Sequence, residues 1–165
     1  MRLSPSIQFE YKHARRVEYK HIYMNKKVFV SGCFDMLHSG HVEFFRQAAK
    51  YGDVYVSIGS DKTLEELKHR KAVNPEAERL FMVKSVRYVK DAFIARRSGL
   101  MDFMDVFNQV KPDIFVVNED GDKPEKRELC QKLGIEYVVL ERKPAEGLPP
   151  RSTTAIVSKF SPSTS

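Results

Sequence analysis

The chain has 165 residues, with 28 Lys and Arg against 22 Asp and Glu, a net charge of +6. That length suits one domain, and an apolar share of 42% excludes a wholly disordered chain. No apolar run reaches the ~18–20 residues of a membrane span. The start lacks a signal-peptide core. Cys33 and Cys130 alone make no disulfide framework, so the expected home is the reducing cytoplasm.

The charge is uneven. Residues 1–27 hold seven basic side chains against two acidic ones, or +5, and the other 138 residues hold 21 against 20. The sequence therefore divides into a basic extension over 1–26, a nearly neutral domain over 27–160 and a polar tail over 161–165.

From Lys27 onward strand and helix signals alternate. Residues 27–32 are β-prone and closed by Gly32. Residues 39–51 predict a helix with Val42, Phe45, Ala48 and Ala49 on one face and Gly52 as its stop. A strand at 53–59 and a helix through 63–67 follow. Asn74-Pro75 opens another helix, with Leu80, Val83 and Val86 inward. Next come a strand at 91–95, a helix at 101–110 ended by Pro112, and a strand at 113–117. A helix at 124–133 stops at Gly134, a strand covers 135–140, and a last short helix starts near Ser152. This order predicts an α/β fold: a five-stranded, doubly wound, Rossmann-like parallel sheet in a three-layer α/β/α arrangement. Ligands of such sheets bind at the carboxyl ends of the strands. The loops of interest are therefore 32–41, 59–62, 118–123 and 141–152.

The first strand runs into Gly32-Cys33-Phe34-Asp35-Met36-Leu37-His38-Ser39-Gly40-His41. Gly32 lets backbone approach a ligand. The helix start offers free N–H groups to phosphate. His38 and His41, three apart, face one point at that helix mouth and can donate hydrogen bonds or, if protonated, act as acids. A lone histidine there would be a cap or a solvated residue. The whole string is more specific than the pair, and Cys or acidic partners at the spacing of a closed zinc site are not nearby, so no protein-held metal is expected.

The string resembles the signature of the HxGH nucleotidyltransferases, the cytidylyltransferase-like superfamily. Lys68-His69-Arg70-Lys71-Ala72, Glu78-Arg79 and Val86-Arg87-Tyr88-Val89 are similar in order and spacing to bacterial glycerol-3-phosphate cytidylyltransferases. Arg142, Gly147 and Ser152-Thr153-Thr154 resemble the family's third block. The resemblance covers about residues 27–160. It implies transfer of a nucleotidyl group, CMP from CTP by this likeness, to a small phosphorylated acceptor, with release of pyrophosphate and Mg²⁺ on the phosphates. His38, His41 and Lys68 would be catalytic. Gly32, Cys33, Phe34, Gly40, Asn118, Asp120, Ser152 and Thr153 would bind nucleotide, together with Arg142 or Arg151, which compete for one role. Asp35, Lys68, Arg79 and Arg87 would bind the acceptor: a phospho-polyol, phospho-amino-alcohol or sugar phosphate. The family often forms homodimers.

Other readings stay open. Arg142 and Ser152 are ten positions apart, Asn118-Glu119-Asp120-Gly121 departs from Gly-Asp, and Arg70 stands where a second Lys is expected. Val73-Asn74-Pro75 is also similar to sugar-phosphate adenylyltransferases that use ATP. Lys68, Arg79 and Arg87 could be surface charges, Ser152 an ordinary N-cap, and Cys130 a core residue. The extension interleaves Phe9, Tyr11, Tyr19 and Tyr23 with Lys12, Arg15, Arg16 and Lys20. An amphipathic packing helix is favoured there over a nucleic-acid arm or a lid, because +5 is modest. A silent nucleotide sensor and a nucleic-acid-binding protein are the rival functions.

Overall fold

The computed structural model describes residues 26–160. The expectations for the extension and the tail lie outside the described residues. Five strands form one parallel sheet: β1 (Lys27–Gly32), β2 (Asp53–Ile58), β3 (Val89–Ile94), β4 (Ile114–Asn118) and β5 (Glu136–Leu140). Their order is β3-β2-β1-β4-β5, so the chain reverses its direction of travel across the sheet between β1 and β4. The carboxyl ends of those two strands form the switch point, where such sheets leave a crevice.

The central strand explains the core. Val28, Phe29 and Val30 in β1 are fully buried, because helices cover both faces. Side chains alternate in a strand. Val28 and Val30 therefore join Val54, Val56, Phe45, Ala48 and Val83 on one face. Phe29 points the other way, into a cluster with Phe103, Phe107, Phe115 and Cys130. Its ring lies 5.1–5.8 Å from the three phenylalanine rings, two of them nearly edge-on. Cys130 is a core residue, as its helical position suggested.

The helices start and stop on local chemistry. They are α1 (Ser39–Ala48), α2 (Asp61–Lys68), α3 (Glu76–Lys84), α4 (Met104–Val110), α5 (Pro124–Leu133) and α6 (Thr153–Ser158). Ser60 and Ser152 cap α2 and α6 by accepting from Thr63 N–H and Ala155 N–H. Pro124 opens α5, and Gly134, at φ +67°, closes it. Helix α1 stops three residues earlier than its apolar pattern suggested, and α4 starts three residues later. Before α4 the chain turns instead, with Asp102 N–H donating to Gly99 O and Met104 N–H to Met101 O. That turn buries Asp102 beside Phe103. Among the described residues no helix is long and apolar enough to cross a membrane.

Candidate active site

Strand β1 ends at Gly32, and residues 33–38 carry the chain to α1. A Cβ on Gly32 would stand 2.9 Å from the Phe34 ring, so glycine is required for that ring to fold back beneath the strand end. Phe34 and Met36 adopt φ near +50°, a conformation costly for side chains of their size. The Asp35 carboxylate holds the strained loop. It accepts from Arg70 Nη1 at 2.7 Å, from Val73 N–H and from Asn74 N–H. These partners outweigh the effect of burial and keep its pKa below the ordinary carboxylate value. The Thr153 hydroxyl donates to Asp35 O at 2.7 Å and docks α6 on the same loop.

The loop delivers two imidazoles to the start of α1. His38 caps the helix: its Nδ1 accepts from Gly40 N–H at 3.1 Å, so the ring proton sits on Nε2. His41 stacks on His38 with centroids 3.8 Å apart and planes 20° from parallel. The Phe34 ring meets His41 edge-on. His38 Nε2 and His41 Nδ1 are buried and have no hydrogen-bond partner among the described residues. Burial first, then His38 and Arg142, push the pKa of His41 down to about 3. Burial, Arg142 and Arg151 lower that of His38. Both rings are neutral near pH 7, so in the free protein they serve as hydrogen-bonding groups rather than acids. Gly40 permits close packing above them, since a Cβ there would lie 3.0 Å from the His38 ring and 3.3 Å from Arg151 O.

Arg142 and Arg151 both reach this mouth, because both charges act on His38. Arg142 donates to Arg151 O at 3.0 Å and pairs with Asp120 at 3.2 Å, while its N–H meets Glu119. The two candidates are therefore neighbours on one rim. Asp120, an exposed residue of the short turn after Asn118 and β4, reaches that rim through Arg142. Lys68 ends α2 in solvent, and its positive charge acts on the Cys33 thiol. Burial nevertheless raises the Cys33 pKa, which leaves a neutral thiol.

The structure brings together Gly32, Cys33, His38, Gly40, His41, Arg142, Arg151, Ser152 and Thr153, with Asn118 at the end of β4 and Asp120 paired to Arg142, whereas Lys68 stands at the end of α2 with only its charge acting on Cys33. Four expected ligands belong elsewhere. Phe34 is a core residue packed on Phe45, with its ring unavailable to a nucleotide. Asp35 spends its carboxylate on residues 70–74 and has none left for an acceptor. Arg79 is fully buried: it donates to Asn74 O, Cys33 O and Gly59 O and pairs with Asp61 at 2.7 Å. It ties loop ends together from below. Arg87 precedes β3, so it sits at the amino end of the sheet, over the Tyr88 ring at 5.1 Å. A parallel strand separates its two ends by its whole length, so Arg87 cannot share a site with His41.

Two residues of this region escape a reading of the sequence. Arg70 clamps Asp35 from 35 positions away, a contact with no local signal. Asp102 is only 6% exposed, burial raises its pKa, and its Oδ2 has no hydrogen-bond partner among the described residues. Its signal is compositional: one carboxylate inside the apolar run Leu100-Met101-Asp102-Phe103-Met104.

Comparison with known proteins agrees with this geometry. The cytidylyltransferase-like family model matches residues 29–159. The chain is 38% identical over 120 residues to the FAD synthase of Aciduliprofundum boonei, covering 71% of this chain and 78% of the relative. It is 33% identical over 142 residues to the FAD synthase of Methanopyrus kandleri, covering 82% and 92%. Among solved structures, the lipopolysaccharide core biosynthesis protein from Thermoplasma volcanium GSS1 is similar with a TM-score of 0.60 at 25% identity, over 73% of this chain and 98% of that one.

Proposed function

The chain belongs to the cytidylyltransferase-like family, and on that premise we propose that it transfers the adenylyl group of ATP to the phosphate of FMN, forming FAD and pyrophosphate. The observation that carries nucleotidyl transfer is the stacked His38–His41 pair, with buried ring nitrogens left unpartnered beside Arg142 and Arg151. What supports ATP and FMN over CTP and a phospho-polyol is the likeness to proteins named FAD synthase. Cytidylyl transfer remains the second reading. The Ser152-Thr153-Thr154 start of α6 favours it, whereas Arg87, its other support, lies at the far end of the sheet.

In this reading a phosphate oxygen of FMN attacks the α-phosphorus of ATP. The bond from that phosphorus to the oxygen bridging to the β-phosphate breaks, and the electron pair leaves with pyrophosphate. The attacking group is already an anion, so neither a covalent nucleophile nor a strong base is needed. The work is positioning and charge stabilisation. His38 Nε2–H donates to a phosphate oxygen, and the first-turn N–H groups of α1 and the arginine rim offset the remaining charge. Lys68 draws the acceptor phosphate towards the α-phosphorus against mutual repulsion. Among the described residues no three His, Cys, Asp or Glu side chains gather to hold a metal. Mg²⁺ would neutralise charge on the leaving pyrophosphate, and it needs few protein ligands because it keeps most of its waters.

The test is pyrophosphate release from each of ATP, CTP, GTP and UTP with FMN, with glycerol 3-phosphate and with a sugar phosphate, with and without Mg²⁺. Release from ATP with FMN alone, together with new FAD, is the expected result. Release from CTP with a phospho-polyol would transfer the assignment to the second reading.

A further inference from the structure

The loop that delivers the histidines also borders a groove that the phosphate chemistry does not use. Met36, Val73, Val157 and Phe160 line this open groove of about 320 Å³, a size within the range of small-molecule sites. All four side chains are apolar, yet Phe160 is 80% exposed and Val73 50%. Single exposed apolar residues need no explanation, but a concave cluster of them beside a reaction centre does.

Asp35 ties the groove to the site. Its carboxylate accepts from Val73 N–H and Asn74 N–H, which fixes one wall. Its carbonyl accepts from the Thr153 hydroxyl at 2.7 Å, and Val157 follows Thr153 by one helical turn, about 6 Å, on the α6 wall. Met36, the next residue along, holds φ +52°, a strained conformation of the kind found at ligand sites. His38 is two residues further on, at most about 7 Å of chain, so the groove adjoins the phosphate-binding mouth. Residue 73 lies between α2 and α3, in the crossover from β2 to β3, whereas Asn118 ends β4 and Asp120 and Arg142 lie beyond it. With strand order β3-β2-β1-β4-β5, groove and nucleotide rim fall on opposite sides of β1.

We infer that this groove binds the planar aromatic ring of the acceptor, the isoalloxazine of FMN. This rests on the proposed transfer to FMN. A phenyl ring and a thioether both make favourable contacts with an aromatic ligand, and Phe160 and Met36 supply them while Val73 and Val157 flank the ring. An open groove shelters the dimethylbenzene half and leaves the polar pyrimidine half in water. The ribityl chain then carries the phosphate over the short distance to the histidine mouth. A phospho-polyol or a sugar phosphate has no apolar surface to place there, so the groove selects among acceptors by the ring alone. The adenine of ATP goes with its phosphates to the opposite side of β1.

Lumiflavin, which carries the ring without ribityl chain or phosphate, isolates this contact. Flavin fluorescence gives the Kd of lumiflavin and of FMN without turnover, and FAD formation gives KM for FMN and for ATP. Phe160→Ala is expected to weaken both flavins by the same factor, about tenfold. Val73→Asp, which sets a charge in the apolar wall, weakens them at least as much. Both positions are exposed, so folding is kept, and Phe160→Tyr, which keeps a ring, keeps the affinity. KM for ATP stays unchanged, and adenosine does not displace lumiflavin. Leu133→Ala, which removes a 52% exposed leucine from the end of α5, alters none of these quantities. Flavin affinities that Phe160→Ala and Val73→Asp leave unchanged overturn the inference. So does a wild type that binds neither flavin. A rise confined to the KM for ATP, or displacement of lumiflavin by adenosine, overturns it in favour of an adenine site. If the two variants weaken both flavins but the wild type forms no FAD, the proposed activity fails and the ring site stands. If the wild type forms FAD and the variants bind flavin as it does, the activity stands and the ring site falls.

Discussion

The His38 ring lies over the His41 ring at 3.8 Å, and each presents a buried nitrogen with no hydrogen-bond partner among the described residues. Burial first lowers the pKa of both rings, and the charge of Arg142 adds to it, so both are neutral in the free protein near pH 7. The arrangement awaits oxygen atoms bearing negative charge.

Replacing His41 with Asn removes one of these groups at little cost to folding. Nδ1 makes no hydrogen bond to the described residues, so what is lost is the stack on His38 and the edge contact with Phe34. Turnover is expected to fall by about 10²–10³, as for other donors to a developing oxyanion. The thermal midpoint should move by only a few degrees. A collapse of the midpoint would make the ring a structural element instead.

Acid will destabilise the free protein through the same ring. His41 titrates at about 3 in the folded state against an ordinary 6.5. Between these values the unfolded chain binds a proton that the folded chain refuses. The contribution to stability is therefore full above about pH 6.5 and is lost as pH falls towards 3. Urea midpoints measured from pH 7 to pH 4 should drop more steeply for the wild type than for His41→Asn. Parallel curves would refute the assignment, because Asp35 and the other carboxylates titrate equally in both chains.

Arg79→Lys should act on stability. Lysine keeps the charge but lacks the planar fork that reaches Cys33 O, Gly59 O and Asn74 O at once. Leaving those carbonyls and Asp61 without partners should cost about 3 kcal/mol or more. Denaturant unfolding is the measurement. A variant of native stability with a raised KM for the acceptor would restore Arg79 to the binding set.

Arg87→Ala should leave kinetics within about twofold, because the side chain is exposed at the amino end of the sheet over Tyr88. A tenfold rise in the KM for either substrate would contradict that placement.

The alternation of short apolar runs with helical periods was enough to predict the parallel sheet, and all five strands lie where those runs do, within two residues. Helix ends set by one local residue, such as Pro124 and Gly134 around α5, were equally legible. The ends of α1 and α4 were not, because turns stabilised by neighbouring packing overrode the apolar pattern.

In the candidate site the same division holds. The order Gly32 to His41 by itself determined that a strand would hand two histidines to a helix start, because strand, loop and cap are all local in sequence. A list of cations, however, carries no information about depth or about which end of the sheet each occupies. Only the tertiary structure sent Arg79 beneath the loops, Arg87 to the opposite end and Arg142 beside Arg151. Only the structure turned Asp35 inward and buried Asp102 beside Gly59. The reason is physical: burial and pairing depend on groups tens of residues apart, which the chain brings together only when the sheet closes its core.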